Sequence, residues 1–150
     1  MAFYQLIYRS IATRLPGDEE LARMVEQARI NNYSQGITGA LFYAEGRFLQ
    51  VLEGAREPVE ALYEYIRHDP RHTEVVRLFG AASTQRLFPH WSLGFGQVSA
   101  PALAGLQARL GPEHLAALRS NAHDVAVAVA EALQEFVRGE LVVARQLPWS

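Results

Sequence analysis

No cysteine occurs in the 150 residues, which excludes disulfides, thiol redox chemistry and thiolate metal sites, and fits a reducing compartment. Neither sign of charge dominates. Fourteen Lys and Arg stand against 16 Asp and Glu, a net charge of −2, with no basic stripe and no interleaving of basic with aromatic residues, so nucleic acid is not an expected partner. No run approaches the roughly 18 apolar residues of a membrane span. The opening MAFYQLIYRS has neither a basic n-region nor a small-residue cleavage site, so a cytoplasmic protein without a membrane partner is the expectation. Glycine-rich phosphate loops and a serine in a nucleophile elbow are also missing. Among the histidines, His68 and His72 have i, i+4 spacing, but Pro70 interrupts the helix that would align them, and His90, His114 and His123 are isolated, so no metal site is expected.

What is present has the length of one domain with an appendage. Residues 3–8 alternate as a strand, with Tyr4, Leu6 and Tyr8 on one face and Phe3, Gln5 and Ile7 on the other. Residues 18–32 read as a helix: acidic residues fill its first turn, Leu21, Met24, Val25 and Ala28 form an i, i+3, i+4, i+7 stripe, and Asn31 and Asn32 end it. A hairpin follows, with strands at 40–43 and 46–54 joined through AEG. A second helix starts near Pro58, carries Val59, Leu62, Tyr63 and Ile66, and ends at Pro70; VVRLFGA and FPHWSLGFGQV supply two more strands. The order βαββαββ matches an α+β, ferredoxin-like sandwich with a five-stranded sheet and both helices on one face. From Pro101 the chain turns Ala- and Leu-rich, with breaks at LGPE and near SNAHD and a last helix at about 124–138, and these helices are expected to cover the other face of the sheet.

The hairpin's second strand poses a question. In GRFLQVLEG, Phe48, Gln50 and Leu52 share one face while Leu49 and Val51 share the other, and both faces read as buried. A buried glutamine must place two donors and two acceptor lone pairs, each costing about 1–3 kcal/mol when unpaired. Tyr8, Asn31 and Asn32 point toward the same layer. Singly, Tyr8 reads as a core tyrosine and the asparagines as helix C-caps. Together, three amides and a phenol call for a common polar partner, which a flat heteroaromatic ring would provide, gripped by Met24 and Ile66.

The stretches LIYRS, NNYSQGITGALFYAEGRFLQVLEG, DPRH and FPHWSLG resemble the BLUF family, blue-light receptors that bind a flavin, usually FAD, with FMN or riboflavin as alternatives. The resemblance covers residues 1 to about 98, a photosensory domain. Residues 99–150 look like the helical extension of short BLUF proteins, in which no effector domain follows. On this resemblance Tyr8 is the photoactive tyrosine, Gln50 the switching glutamine, and Asn32 the holder of the C4 carbonyl and N3 edge of the isoalloxazine. Asn31 is a second polar contact. Met24, Ala28, Phe48, Leu52 and Ile66 line the ring pocket, and Asp69, Arg71 and His72 sit beside the ribityl and phosphate end. Trp91 and Leu93 complete the photoactive set, Leu93 standing where the family usually has methionine.

The implied function is a light sensor rather than an enzyme, in which illumination rearranges a Tyr–Gln–flavin hydrogen-bond network. Its output would pass through protein contacts, either self-association of the Ala-rich helices into a homo-oligomer or docking of a separate signalling protein. The alternative is a small flavin-dependent or acylphosphatase-like enzyme on the same sandwich, which would need an open cleft with a general acid or a backbone anion cradle.

Overall fold

In the computed structural model of the chain, residues 3–111, 113, 115 and 122–144 are described, with side chains 125–139 in the last helix. The elements are β1 (Phe3–Ala12), α1 (Asp18–Ser34), β2 (Thr38–Ala44), β3 (Arg47–Gly54), α2 (Arg56–Arg67), β4 (His72–Ser83), β5 (Gly94–Gln97), α3 (Ala100–Leu110) and α4 (Ala122–Ala144). The strands form one mixed sheet of order β4-β1-β3-β2-β5, with β5 parallel to β2 and the other neighbours antiparallel. This is the α+β, ferredoxin-like architecture expected from the order of elements.

The β2–β3 hairpin closes through Glu45 and Gly46, both at positive φ (47° and 85°), the backbone of a type I′ turn whose twist suits the flanking strands. Asp18, Glu19 and Glu20 occupy the first turn of α1, where the helix dipole favours negative charge. Ser99 caps α3, its Oγ accepting from the Ala102 amide at 3.2 Å.

β3 divides the molecule. Its side chains alternate, so Phe48, Gln50 and Leu52 face α1 and α2, while Leu49 and Val51 join Ile7 and Phe42 in a cluster with Leu103, Leu106, Leu110, Val129 and Leu133. The C-terminal helices therefore cover the second face of the sheet, as its two apolar faces require. Each fully buried leucine there contributes about 1.5–3 kcal/mol over an exposed one.

Several boundaries differ from the expected ones. β1 runs to Ala12 rather than residue 8, because β3 and β4 both continue beside it. α1 continues to Ser34, so Asn31 and Asn32 lie inside its last turn and are not C-caps; Gln35 holds that position, its amide donating to Asn31 and Asn32 carbonyls. The expected strand over 88–98 shortens to Gly94–Gln97, since Pro89 has no N–H and the amides of Leu87 and Phe88 go to the Glu53 carboxylate instead of a ladder. The expected break at Ser120 and Asn121, and the His114 and His123 side chains, lie outside the described residues. His68 and His72 turn to different partners, the Glu64 carbonyl at 2.8 Å and Ser10 Oγ at 3.0 Å. Among the described residues no helix is long and apolar enough to cross a membrane.

Candidate functional site

A cleft opens between α1 and α2 above the middle of the sheet, concave and lined by both helices and the central strands, as small-molecule sites are. Its floor is Tyr8, Leu41, Phe48 and Gln50. Met24, Val25 and Ala28 of α1 form one wall, and Leu62, Tyr65 and Ile66 of α2 the other. Asn31 and Asn32 bring their amides to the end of α1, and Asp69, Arg71 and His72 line the outlet.

Strand pairing builds the polar centre. Tyr8 on β1 and Gln50 on β3 are register partners, so their side chains stand side by side on the α1–α2 face. The Tyr8 hydroxyl donates to Gln50 Oε1. Both residues are at most 5 % exposed, yet among the described residues the Gln50 amide nitrogen has no hydrogen-bond partner. Burial, reinforced by Tyr63 and Asp69, pushes the Tyr8 phenol far above its usual titration range, so it stays a protonated donor.

Asn32 is buried, and its Nδ2 donates to the Ser92 carbonyl at 2.8 Å, leaving Oδ1 to face the cleft without a partner among the described residues. Asn31 is exposed and accepts from Gln27 Nε2 at 3.2 Å. At the outlet Arg71 grips Asp69 through two nitrogens, at 2.7 and 3.1 Å, and holds that carboxyl below the usual carboxylate range.

Of the residues the sequence nominates, Tyr8, Met24, Ala28, Asn31, Asn32, Phe48, Gln50, Ile66, Asp69, Arg71 and His72 line this one cleft. Leu52, Trp91 and Leu93 do not. Leu52 has the right face but lies one strand position too far along, packed with Leu6, Ile37, Val59 and Tyr63. Leu93 is fully buried with Leu21, Val25, Leu41 and Phe48, on the α1 side of the sheet and beside the cleft rather than in its lining. Trp91 lies on the opposite face of the sheet, stacked on Phe88 with ring centroids 5.6 Å apart and packed against the core beneath α3 and α4. Leu21, Val25, Gln27, Leu41, Leu62 and Tyr65 also line the cleft, outside the set that the sequence nominates. Leu41 could have been found, because register pairs it with Gln50; exposed Tyr65 gives no signal in the pattern.

The cleft fits a flat heteroaromatic ring system such as a flavin. Its walls are apolar and face each other, while two unpartnered amide ends, Gln50 Nε2 and Asn32 Oδ1, offer one donor and one acceptor at its buried end. Both ends open onto the cleft, where a ligand edge carrying N–H and carbonyl groups can bond them.

His72 gives the site a pH signature. Burial lowers its pKa, and Arg71 lowers it further against the opposing pull of Asp69, so the folded protein prefers the neutral ring. The unfolded chain binds the proton more readily. Stability from this residue is therefore complete above about pH 6.5 and is lost as pH falls toward the depressed folded value, with further loss at lower pH as Asp69 protonates. The urea midpoint should drop between pH 7 and 5.5, and drop less in His72→Gln; an equal drop in both would assign the effect elsewhere.

Three comparisons bear on this geometry. Along 89 residues the chain is 40% identical to photoactivated adenylate cyclase subunit beta of Euglena gracilis, an alignment covering 59% of this chain and 10% of that protein, so the chain spans about a tenth of the length of that curated relative. In three dimensions it resembles BlsA in its photo-activated state (TM-score 0.65, 28% identity, 87% of this chain and 94% of that one). It also resembles BlrB, a BLUF protein in its dark state (TM-score 0.64, 26% identity, the same coverage). The family model for sensors of blue light using FAD matches residues 3–94, the stretch that contains the Tyr8–Gln50 pair and both walls of the cleft, and the chain belongs to that family, BLUF.

Proposed function

We propose that the cleft holds a flavin non-covalently, FAD in the first instance and FMN or riboflavin as substitutes, and that the Tyr8–Gln50 pair is its light-driven switch. The observation that carries this is the half-satisfied Gln50, bonded at one end to a phenol and open at the other toward the cleft. When bound, the flavin supplies the blue-light absorption and the electron-accepting ring. Met24 and Ile66 hold its faces, Gln50 Nε2 and Asn32 Oδ1 its polar edge, with Asn31 beside them at the rim, and Asp69, Arg71 and His72 meet its side chain.

Tyr8 gives up an electron and its proton, Gln50 relays the proton, and both return to Tyr8. Gln50 ends in its second arrangement, its amide rotated or tautomerised, so the donor and acceptor ends have exchanged without any large backbone motion. Light supplies the bias between two arrangements of one network, and no net chemistry results. Residues 1–98 form the photosensory unit in this reading, and Leu93 and Trp91 lie on the way from it to the helices of 99–150. Output passes through self-association or docking of a separate partner in the cytoplasm. Among the described residues the cleft's polar groups point to ring binding and to one another, which does not favour the small-enzyme alternative.

The deciding measurement is the absorption spectrum in the dark and after blue light, where a reversible red shift is expected and bleaching by a nicotinamide cofactor would mark a reductase. Tyr8→Phe should retain the flavin, since ring packing survives, and lose the normal red-shifted state, since the donor and proton are gone. A normal photocycle in that variant would remove Tyr8 from the switch.

A further inference from the structure

Glu53 lies on β3, three residues from Gln50 and on the other face of the sheet, 1 % exposed. Its Oε2 accepts from Gln5 Nε2 at 2.9 Å and from the Leu87 amide at 2.8 Å, and its Oε1 accepts from the Phe88 amide at 2.8 Å. All three partners donate, so the carboxylate serves purely as acceptor, and among the described residues it forms no ion pair. Such charge-assisted bonds to a buried carboxylate are the stronger kind, about 1.5–3 kcal/mol each.

What the carboxylate holds is the connection from β4 to β5, which crosses the sheet beneath α3 and α4. Phe88, fixed by its backbone, stacks on Trp91 nearly in parallel (13°). The indole also lies against Gly94, where a Cβ would stand 2.2 Å from Cε3. Beyond Trp91 the chain is caught again. The Gly39 amide donates to the Trp91 carbonyl at 2.9 Å, and Asn32 Nδ2 reaches Ser92 O. One end of this segment is thus tied to a carboxylate behind the sheet, the other to an amide in the cleft.

We infer that Glu53 is the positioning residue of this segment: its carboxylate, through Leu87 and Phe88, holds Trp91 on the face away from the cleft and sets the tension with which Ser92 meets Asn32. That the segment matters to light output rests on the sensor reading above; that Glu53 positions it does not.

The test uses the full chain in a Trp149→Phe background, where Trp91 is the sole tryptophan. Glu53→Gln keeps the volume, but in either amide orientation one of the two backbone N–H groups faces an NH₂. Exchange of the Leu87 or the Phe88 amide should therefore accelerate about 10–100-fold, the equivalent of one lost charge-assisted bond. Acrylamide quenching of Trp91 should rise severalfold, the flavin band and the size of its red shift should stay the same, and dark recovery should change. A variant that folds, binds flavin and leaves both amides and Trp91 quenching as they were overturns the inference. Should the variant not fold, the unaltered protein decides: Leu87 and Phe88 belong to no strand or helix, so slow exchange at both supports the clamp and exchange at open-loop rates overturns it. A missing red shift in the unaltered protein would count against the sensor reading while the amide and Trp91 measurements still judge Glu53.

Discussion

Gln50→Leu is expected to fold, to bind flavin and to show no light-induced red shift at all. Leucine preserves most of the packed volume between Phe48 and Leu52 and removes both amide ends. The Tyr8 hydroxyl loses the one acceptor it has among the described residues, a cost of about 1–3 kcal/mol, while the amide nitrogen left open toward the cleft disappears with it. The net change in stability should be small and the loss of function complete, because no other side chain in the cleft bonds Tyr8 while offering a free end. Difference spectra after blue light measure this directly. A red shift of ordinary size in Gln50→Leu would show that the switch lies elsewhere in the cleft.

Leu133→Ala should cost about 2–5 kcal/mol, the range for emptying a fully buried leucine site. Leu133 belongs to the cluster that seals Ile7, Phe42, Leu49 and Val51. The loss should therefore appear as a single lowered urea midpoint for the whole chain, with the flavin spectrum unchanged in the folded protein, since Leu133 does not line the cleft. A loss below about 1 kcal/mol, or separate transitions for the helices and the sheet, would mean that the C-terminal layer is not part of one cooperative core.

Much of this was legible from side-chain alternation. The faces of β1 and β3 follow from period two, and with them the meeting of Tyr8 and Gln50 and the need for a second layer over Leu49 and Val51. The stripe of α1 gave Met24 and Ala28. Alternation says which way a residue points but not how far along the sheet a cleft extends, and so Leu52 fell outside it. The β5 region departs from its pattern for another reason: FPHWSLGFGQV has strand composition throughout, but the amide of Phe88 and that of Leu87 just before it are captured by Glu53, distant in sequence, and Pro89 donates none. Trp91 and Leu93 then fall on opposite sides of the sheet, a consequence of where the crossing chain rounds its edge.

From Phe48 to Gly54 every residue of β3 is buried, one set on the α1–α2 face that carries the cleft and the other in the core beneath α3 and α4. That strand has no neutral position: any substitution meant to retune Gln50's surroundings from the strand itself also recuts one of two cores. The freedom to vary absorption or lifetime, in natural drift and in engineering alike, is concentrated in the helix walls, where Gln27, Leu62 and Tyr65 border the cleft and lie outside the layer below.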